Sequence, residues 1–285
     1  MTDVSPILSN PSNLSSPASP ALSTSDDIVL IDIAAGIGTV TLNRPKARNA
    51  LSSALSGRLR SAMAEVDADE EVQVIVLTGA DPAFCAGVDL KELGHDGGAL
   101  KNFHPDGHVA VRGPWAPTAK PVIGAINGVA ITGGFELALQ CDFLVASDRA
   151  AFGDTHARVG VLPGWGLSVL LPQAIGVRRA LEMSLTGNFI DAAEAHRLGL
   201  VNHIVAHESL IPTVRALATD IASIHSRAVS TYLASYRAIH HMTVGDGLQH
   251  EAEVNRDYLA TFTPAEFETR RTSIVARGRD QKPAD

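Results

Sequence analysis

The chain has 285 residues, 45% of them hydrophobic and 19% charged, with a formal net charge of -8. That suffices for one large core, or one core with a helical appendage. The acidic balance and the absence of a long basic run exclude strong non-specific binding to nucleic acid, which needs Lys and Arg to neutralise phosphates.

Residues 1–27 are rich in Ser and Pro. Such a composition cannot bury enough apolar area to offset chain entropy, so a disordered tail is expected, without the basic start and apolar core of a secretory signal. Order is expected from Ile28. The segments 28–33 (IVLIDI) and 37–43 (IGTVTLN) are rich in β-branched residues and flank Ala-Ala-Gly, which predicts a hairpin. Leu55, Leu59, Met63 and Val66 recur at helical spacing, and Asp67 to Glu71 close that helix. Continuous apolar runs at 72–79, 121–128 and 143–148 read as strands buried on both faces. Strands alternating with helices predict an α/β fold with right-handed crossovers, its core spanning 28–205. Beyond it, helical periodicity at 207–225, 227–242, 245–260 and 264–276 predicts a helical region over 206–285, packed on the core or on a neighbouring subunit.

No apolar stretch approaches the ~20 residues a bilayer span requires. Cys85 and Cys141 are too few for a disulfide framework and lack zinc-type spacing, so both are expected as buried thiols in a reducing cytoplasm. The segment 94–118 carries His95, His104 and His108. Their spacing fits no zinc pattern and no Cys or carboxylate pair accompanies them, so a surface loop is expected and no metal site.

Two strand–turn–helix junctions carry the chemistry. In 78–93 (TGADPAFCAGVDLKEL), residues 86–89 are expected to open a helix. In 126–142 (INGVAITGGFELALQCD), a helix is expected to start near Gly133. The first N–H groups of a helix have no internal partner and point outward from a positive dipole end. Two such ends face to face would hold a carbonyl oxygen as it gains negative charge. Glu136 stands in an otherwise apolar stretch. It is either a solvated helix-start carboxylate or a buried one, and burial would require a partner or a function.

These two junctions resemble the motifs of the crotonase (enoyl-CoA hydratase/isomerase) superfamily. Residues 42–53 (LNRPKARNALSS), 151–166 (AFGDTHARVGVLPGWG) and 186–205 are similar to three further family segments, and the resemblance runs from about Ile28 to about Arg279. It implies a spiral of ββα units with a C-terminal helical region that forms a trimer or a dimer of trimers. The substrate implied is an acyl-CoA thioester, with coenzyme A as part of the substrate and no permanently bound cofactor. Position by position, it implies oxyanion-hole N–H groups on Val88 and Gly133 and a water-activating carboxylate on Glu136. It also implies a coenzyme A contact by backbone around Ala47, Ala86 and Asp89, with Lys46 and Arg48 near the phosphates.

The sequence departs from the family pattern in places. Typical hydratases carry a glutamate three residues after Phe-Gly; after Phe152-Gly153 that position holds His156. Imidazole serves as acid or base near neutral pH; the alternative is a histidine hydrogen-bonded inside the fold, with catalysis lost or altered. Asp154 lies two residues earlier and is able to share that space. On this count hydration is expected to be weak, and His156→Glu to raise it. Trp165 replaces a small residue in a turn, and no aromatic stands near Val275, although Phe267 and Arg270-Arg271 resemble the family's final helix. The function implied is hydration of a 2-enoyl-CoA. The alternatives are carbon–carbon cleavage of a β-diketone and acyl-CoA binding with little turnover.

Overall fold

The computed structural model describes residues 27–96, 113 and 115–280. Residues 1–26 of the expected tail, and His104 and His108, lie outside them. β1 (Val29–Ala34) and β2 (Ile37–Leu42) form the expected hairpin, with Val29 opposite Leu42. α1 (Ser53–Ala68) buries Leu55, Leu59, Met63 and Val66, the stripe read from the sequence, and the Ser52 side chain caps it by accepting from the Leu55 amide.

The chain then crosses repeatedly between two sheets. β3 (Val74–Gly79), β5 (Val122–Ile126), β7 (Phe143–Ser147) and β10 (His203–Val205) join β1 and β2 in a six-stranded sheet of order β1-β2-β3-β5-β7-β10. β4 (Ala83–Cys85), β6 (Val129–Ile131), β8 (Ala151–Gly153) and β9 (Ile190–Asp191) form a four-stranded sheet in that order. Each of β3, β5 and β7 is followed within a few residues by a short strand of the second sheet and then by a helix. These helices are α2 (Leu90–Asp96), α3 (Gly133–Gln140) and α4 (His156–Val159). That repeat is the expected spiral of ββα units. All strand pairs are parallel except β1–β2 and β8–β9. The short strands escape sequence reading because two or three residues show no periodicity.

Both faces of the large sheet are covered, which is why its strands are continuously apolar. Ile75, Leu77, Ile126 and Leu144 face a core shared with α1 and α3. Val74, Val76, Ile123 and Val145 face Leu210, Val214 and Ala218 of α8 (Leu210–Ala222). In chain order, α5 (Leu167–Ile175), α6 (Val177–Thr186) and α7 (Ala192–Arg197) come between α4 and α8. The chain ends in α9 (Ser226–Ile239), α10 (Val244–Leu259) and α11 (Pro264–Asp280), close to the four helices expected. Only α8 packs deeply. α9 buries no residue fully and α10 only Gly247, while Tyr232, Tyr236, Leu248 and Ile274 are exposed. Arg237 ties α9 to the core through Asp142 at 2.9 Å.

The first junction differs from the sequence reading. The helix opens at Leu90, not within 86–89, because the Asp89 side chain accepts from the Lys91 and Glu92 amides and so caps α2. Gly87 to Asp89 instead form a strand-like bridge with Leu51. No helix among the described residues is long and apolar enough to cross a membrane.

Candidate active site

The two junctions meet where the sheets part. Leu51 donates to the Gly87 carbonyl at 2.7 Å and accepts from the Asp89 amide at 3.1 Å. In a parallel bridge of that form the intervening residue turns its own N–H and C=O the other way, so the Val88 amide points away from Leu51. Gly87 has φ +87, and a Cβ there would lie 2.7 Å from the Ile131 carbonyl oxygen. Only glycine permits both the backbone angle and the approach. The Val88 turn is thereby laid against the turn that starts α3.

Thr132 makes that second turn. Its φ of 55° and ψ of −117° are strained for a residue with a Cβ, at about 1–3 kcal/mol. The strain is held by three contacts to the end of β8: the Thr132 amide donates to Gly153 at 2.8 Å, its Oγ1 lies 2.5 Å from Thr155 Oγ1, and it accepts from the Thr155 amide. Nothing in the sequence marked Thr132. Its effect is to present Gly133 as the first residue of α3, whose amide has no carbonyl partner within the helix. A Cβ on Gly133 would stand 4.0 Å from Val88 Cγ2, so the two residues expected to supply amides are neighbours.

Glu136 lies one turn into α3 and is fully buried. This decides between the two sequence readings in favour of burial, and its partners are specific. Oε1 accepts from the Trp165 amide at 2.7 Å and from the Leu167 amide at 3.4 Å. Oε2 has no hydrogen-bond partner and lies 3.4 Å from Nε2 of His156, which likewise has none. On its other edge, His156 Nδ1 is 2.6 Å from Asp154 Oδ1, the oxygen that also accepts the His156 amide at 3.1 Å. Asp154 and His156 are 2% exposed.

The imidazole thus sits between two carboxylates. Burial alone would push its pKa down. The hydrogen bond to Asp154 and the proximity of Glu136 outweigh burial and raise it to about 9. Burial acts to raise the Asp154 pKa, but hydrogen bonds from His156 and Ser184 hold it below the usual carboxylate range. At neutral pH the site therefore contains an imidazolium whose free N–H edge faces an unshared carboxylate oxygen.

The residues expected near coenzyme A cluster at the outer rim. Lys46 and Arg48 are exposed, and Ala47 and Ala86 are partly buried. The amides of Ala47, Ala86 and Asp89 are spent on Arg44, Arg48 and Leu51 carbonyls. The Asp89 carboxylate pairs with Arg44 at 3.0 Å, so its side chain serves the fold. Sequence reading missed the residue that locks this rim. Asn49, buried at φ 56°, accepts from the Arg44 amide and donates to the carbonyls of Ala80 and Ala83. His95 is an exposed residue of α2, apart from these groups. Among the described residues, no group of three or more His, Cys, Asp or Glu is arranged to hold a metal ion.

The sequence profile described as enoyl-CoA hydratase/isomerase matches residues 32–271. The chain belongs to that family. A probable enoyl-CoA hydratase of Mycobacterium leprae is 37% identical over 240 residues, covering 84% of this chain and 93% of its own. A probable peroxisomal enoyl-CoA hydratase of Arabidopsis thaliana is 39% identical over 250 residues, covering 87% and 92%. The crystal structure of enoyl-CoA hydratase from Mycobacterium tuberculosis matches with a TM-score of 0.69 at 48% identity, over 82% of this chain and 100% of that one. That of Bacillus anthracis enoyl-CoA hydratase matches with 0.78 at 32% identity, over 87% and 96%. The enoyl-CoA hydratase/isomerase fold is therefore the fold of this chain.

Proposed function

We propose that this chain hydrates a 2-enoyl-CoA thioester. The observation that carries this reading is the pair of unshared atoms, Glu136 Oε2 and His156 Nε2, 3.4 Å apart beside the Val88 and Gly133 turns. The thioester oxygen lies between those two amides, which take up the charge it gains as the enolate forms. Glu136 accepts a proton from water while the oxygen of that water bonds to Cβ. His156, as imidazolium, gives its Nε2 proton to Cα. The proton on Glu136 then passes across the short gap to neutral His156, which restores both groups with no exchange with solvent.

Backbone around Ala47, Ala86 and Asp89 lines the adenine end, through carbonyl oxygens, since the amides are committed. Lys46 and Arg48 screen the phosphates. The apolar side chains left exposed on α9, α10 and α11 support assembly as a homotrimer or a dimer of trimers through residues 206–285. Two buried free thiols support a reducing compartment, the cytoplasm; some relatives are named as peroxisomal or mitochondrial.

The Asp154–His156 pair also suits carbon–carbon cleavage of a β-diketone. One experiment tests both: the purified protein is offered enoyl-CoA thioesters and β-diketones, and products are identified by mass. A gain of one water across the enoyl bond supports hydration. Binding of thioesters without any product would replace both readings by a binding role.

A further inference from the structure

Glu136 is held by the backbone of Trp165, and that backbone is itself held. The Trp165 amide donates to Glu136 Oε1 at 2.7 Å. The carbonyl of the same residue accepts from Gln140 Nε2 at 2.8 Å. Glu136 and Gln140 are four residues apart on α3, so their side chains leave one face of the helix a turn apart. One accepts from the Trp165 N–H and the other donates to its C=O. Trp165 stands between Gly164 and Gly166, residues with the widest choice of backbone angles. The buried indole anchors the turn, but the direction of its N–H is set by backbone that has little stiffness of its own.

Gln140 is itself buried. A Cβ built on Gly113 would lie 2.8 Å from Gln140 Cδ and 2.9 Å from its Oε1, so the flat side-chain amide is packed against backbone and has no room to turn away. A carbonyl only accepts, which fixes Nε2 as the atom presented to Trp165. The consequence falls on Glu136. With Oε1 committed to the Trp165 and Leu167 amides, Oε2 is the oxygen left opposite His156 Nε2.

We infer that Gln140 is a positioning residue for the general base: by holding the Trp165 carbonyl it aims the Trp165 amide, and so sets the rotation of the Glu136 carboxylate that leaves Oε2 for water. This rests on the hydration reading above. Gln140 acts through Trp165 and takes no part in proton transfer.

The test uses full-length variants. Gln140→Met keeps length and volume and removes the donor. Gln140→Glu keeps the shape and puts an acceptor in its place, and it serves if the methionine variant fails to fold. A misplacement of about 1 Å costs about 10²-fold, so either variant should lose about 10–10²-fold in kcat for crotonyl-CoA hydration. Affinity for butyryl-CoA, which binds without reacting, should stay within about three-fold. A second readout needs no turnover. The chain has two tryptophans, so protein labelled with heavy nitrogen in tryptophan alone gives two backbone amide signals, and Trp115→Phe identifies the one from Trp165. In the Gln140 variants that amide should exchange with deuterium about fivefold faster or more, the change expected from loss of one ordinary hydrogen bond. Unchanged kcat in folded variants would overturn the inference, as would an unchanged Trp165 exchange rate. So would a fall in kcat matched by an equal fall in butyryl-CoA affinity, which is general damage to the site. If wild type turned over no thioester, the hydration reading would fall, while the exchange rate would still decide whether Gln140 holds the Trp165 amide.

Discussion

His156 Nε2 stands 3.4 Å from Glu136 Oε2, and neither atom has another hydrogen-bond partner. An unshared carboxylate oxygen in a buried site is expensive unless an opposite charge faces it. His156 supplies that charge, and Asp154 on the far edge of the ring keeps it protonated.

Glu136→Gln keeps the shape and its acceptor for the Trp165 amide but removes the base. Turnover on any substrate found should fall by about 10²–10⁴, while affinity for the coenzyme A portion stays within a few-fold. Unchanged steady-state turnover would reject the role.

The site should also set a pH dependence of stability. The folded His156 pKa is raised from 6.5 to about 9. Below about pH 6.5 both folded and unfolded chains hold the proton, and the full contribution is present. Between 6.5 and 9 only the folded chain holds it, so stability declines, with a slope approaching about 1.4 kcal/mol per pH unit. Above 9 the contribution is gone. Chemical denaturation from pH 6 to 10 should show this decline in wild type and a flatter curve in His156→Gln. The hydration rate should hold through that window and fall only around and above about pH 9, where the folded protein itself loses the acid. Parallel stability curves for the two proteins would refute the assignment.

Position 156 looked like an impairment in the sequence, and a glutamate there was expected to raise hydration. The geometry points the other way. His156→Glu would set a third carboxylate between Asp154 and Glu136, and the proton that such close like charges force one of them to take up is then shared with Asp154 and Glu136 rather than held on the group that faces Cα. The expected result is a rate lower by about 10²-fold in crotonyl-CoA hydration, followed by loss of enoyl-thioester absorbance. A His156→Glu variant as fast as wild type would show that Asp154 does not govern this site.

What the sequence showed and hid follows from range. The α1 stripe, the apolar strands of the large sheet and the C-terminal helices are periodic patterns within one segment, and each was legible. Glu136 and His156 were found because motif spacing marks them. Their burial and mutual distance were not legible, since they depend on β6 and β8 lying side by side. The Asp89 cap was misread as part of a helix because a capping Asp and a first-turn Asp look alike in sequence. Thr132 and Asn49 left no signal, because a strained φ is imposed by contacts from distant segments: Gly153 and Thr155 for one, Ala80 and Ala83 for the other.

The oxyanion assignment can be tested at a single atom. Gly133 is the first residue of α3, a position where proline fits the helix but brings no N–H. Gly133→Pro should therefore cost about 2.7–4 kcal/mol in the activation barrier for hydration. The residue before a proline is restricted, and Thr132 already holds an unusual conformation, so a structural effect must be separated. Gly133→Ala does this. It keeps the amide, and the one tight approach of its Cβ is to the flexible end of Leu51 at 2.9 Å, with Trp165 and Val88 at ordinary contact distances of 3.8 and 4.0 Å, so it should retain most of the rate. A coenzyme A thioether of the same chain length supplies a control without mutation, because it lacks the carbonyl. Wild type should prefer the thioester to the thioether, and Gly133→Pro should narrow that preference while circular dichroism shows a native fold. If wild type binds the two equally, or the folded proline variant keeps full rate, the carbonyl does not rest on the Gly133 amide.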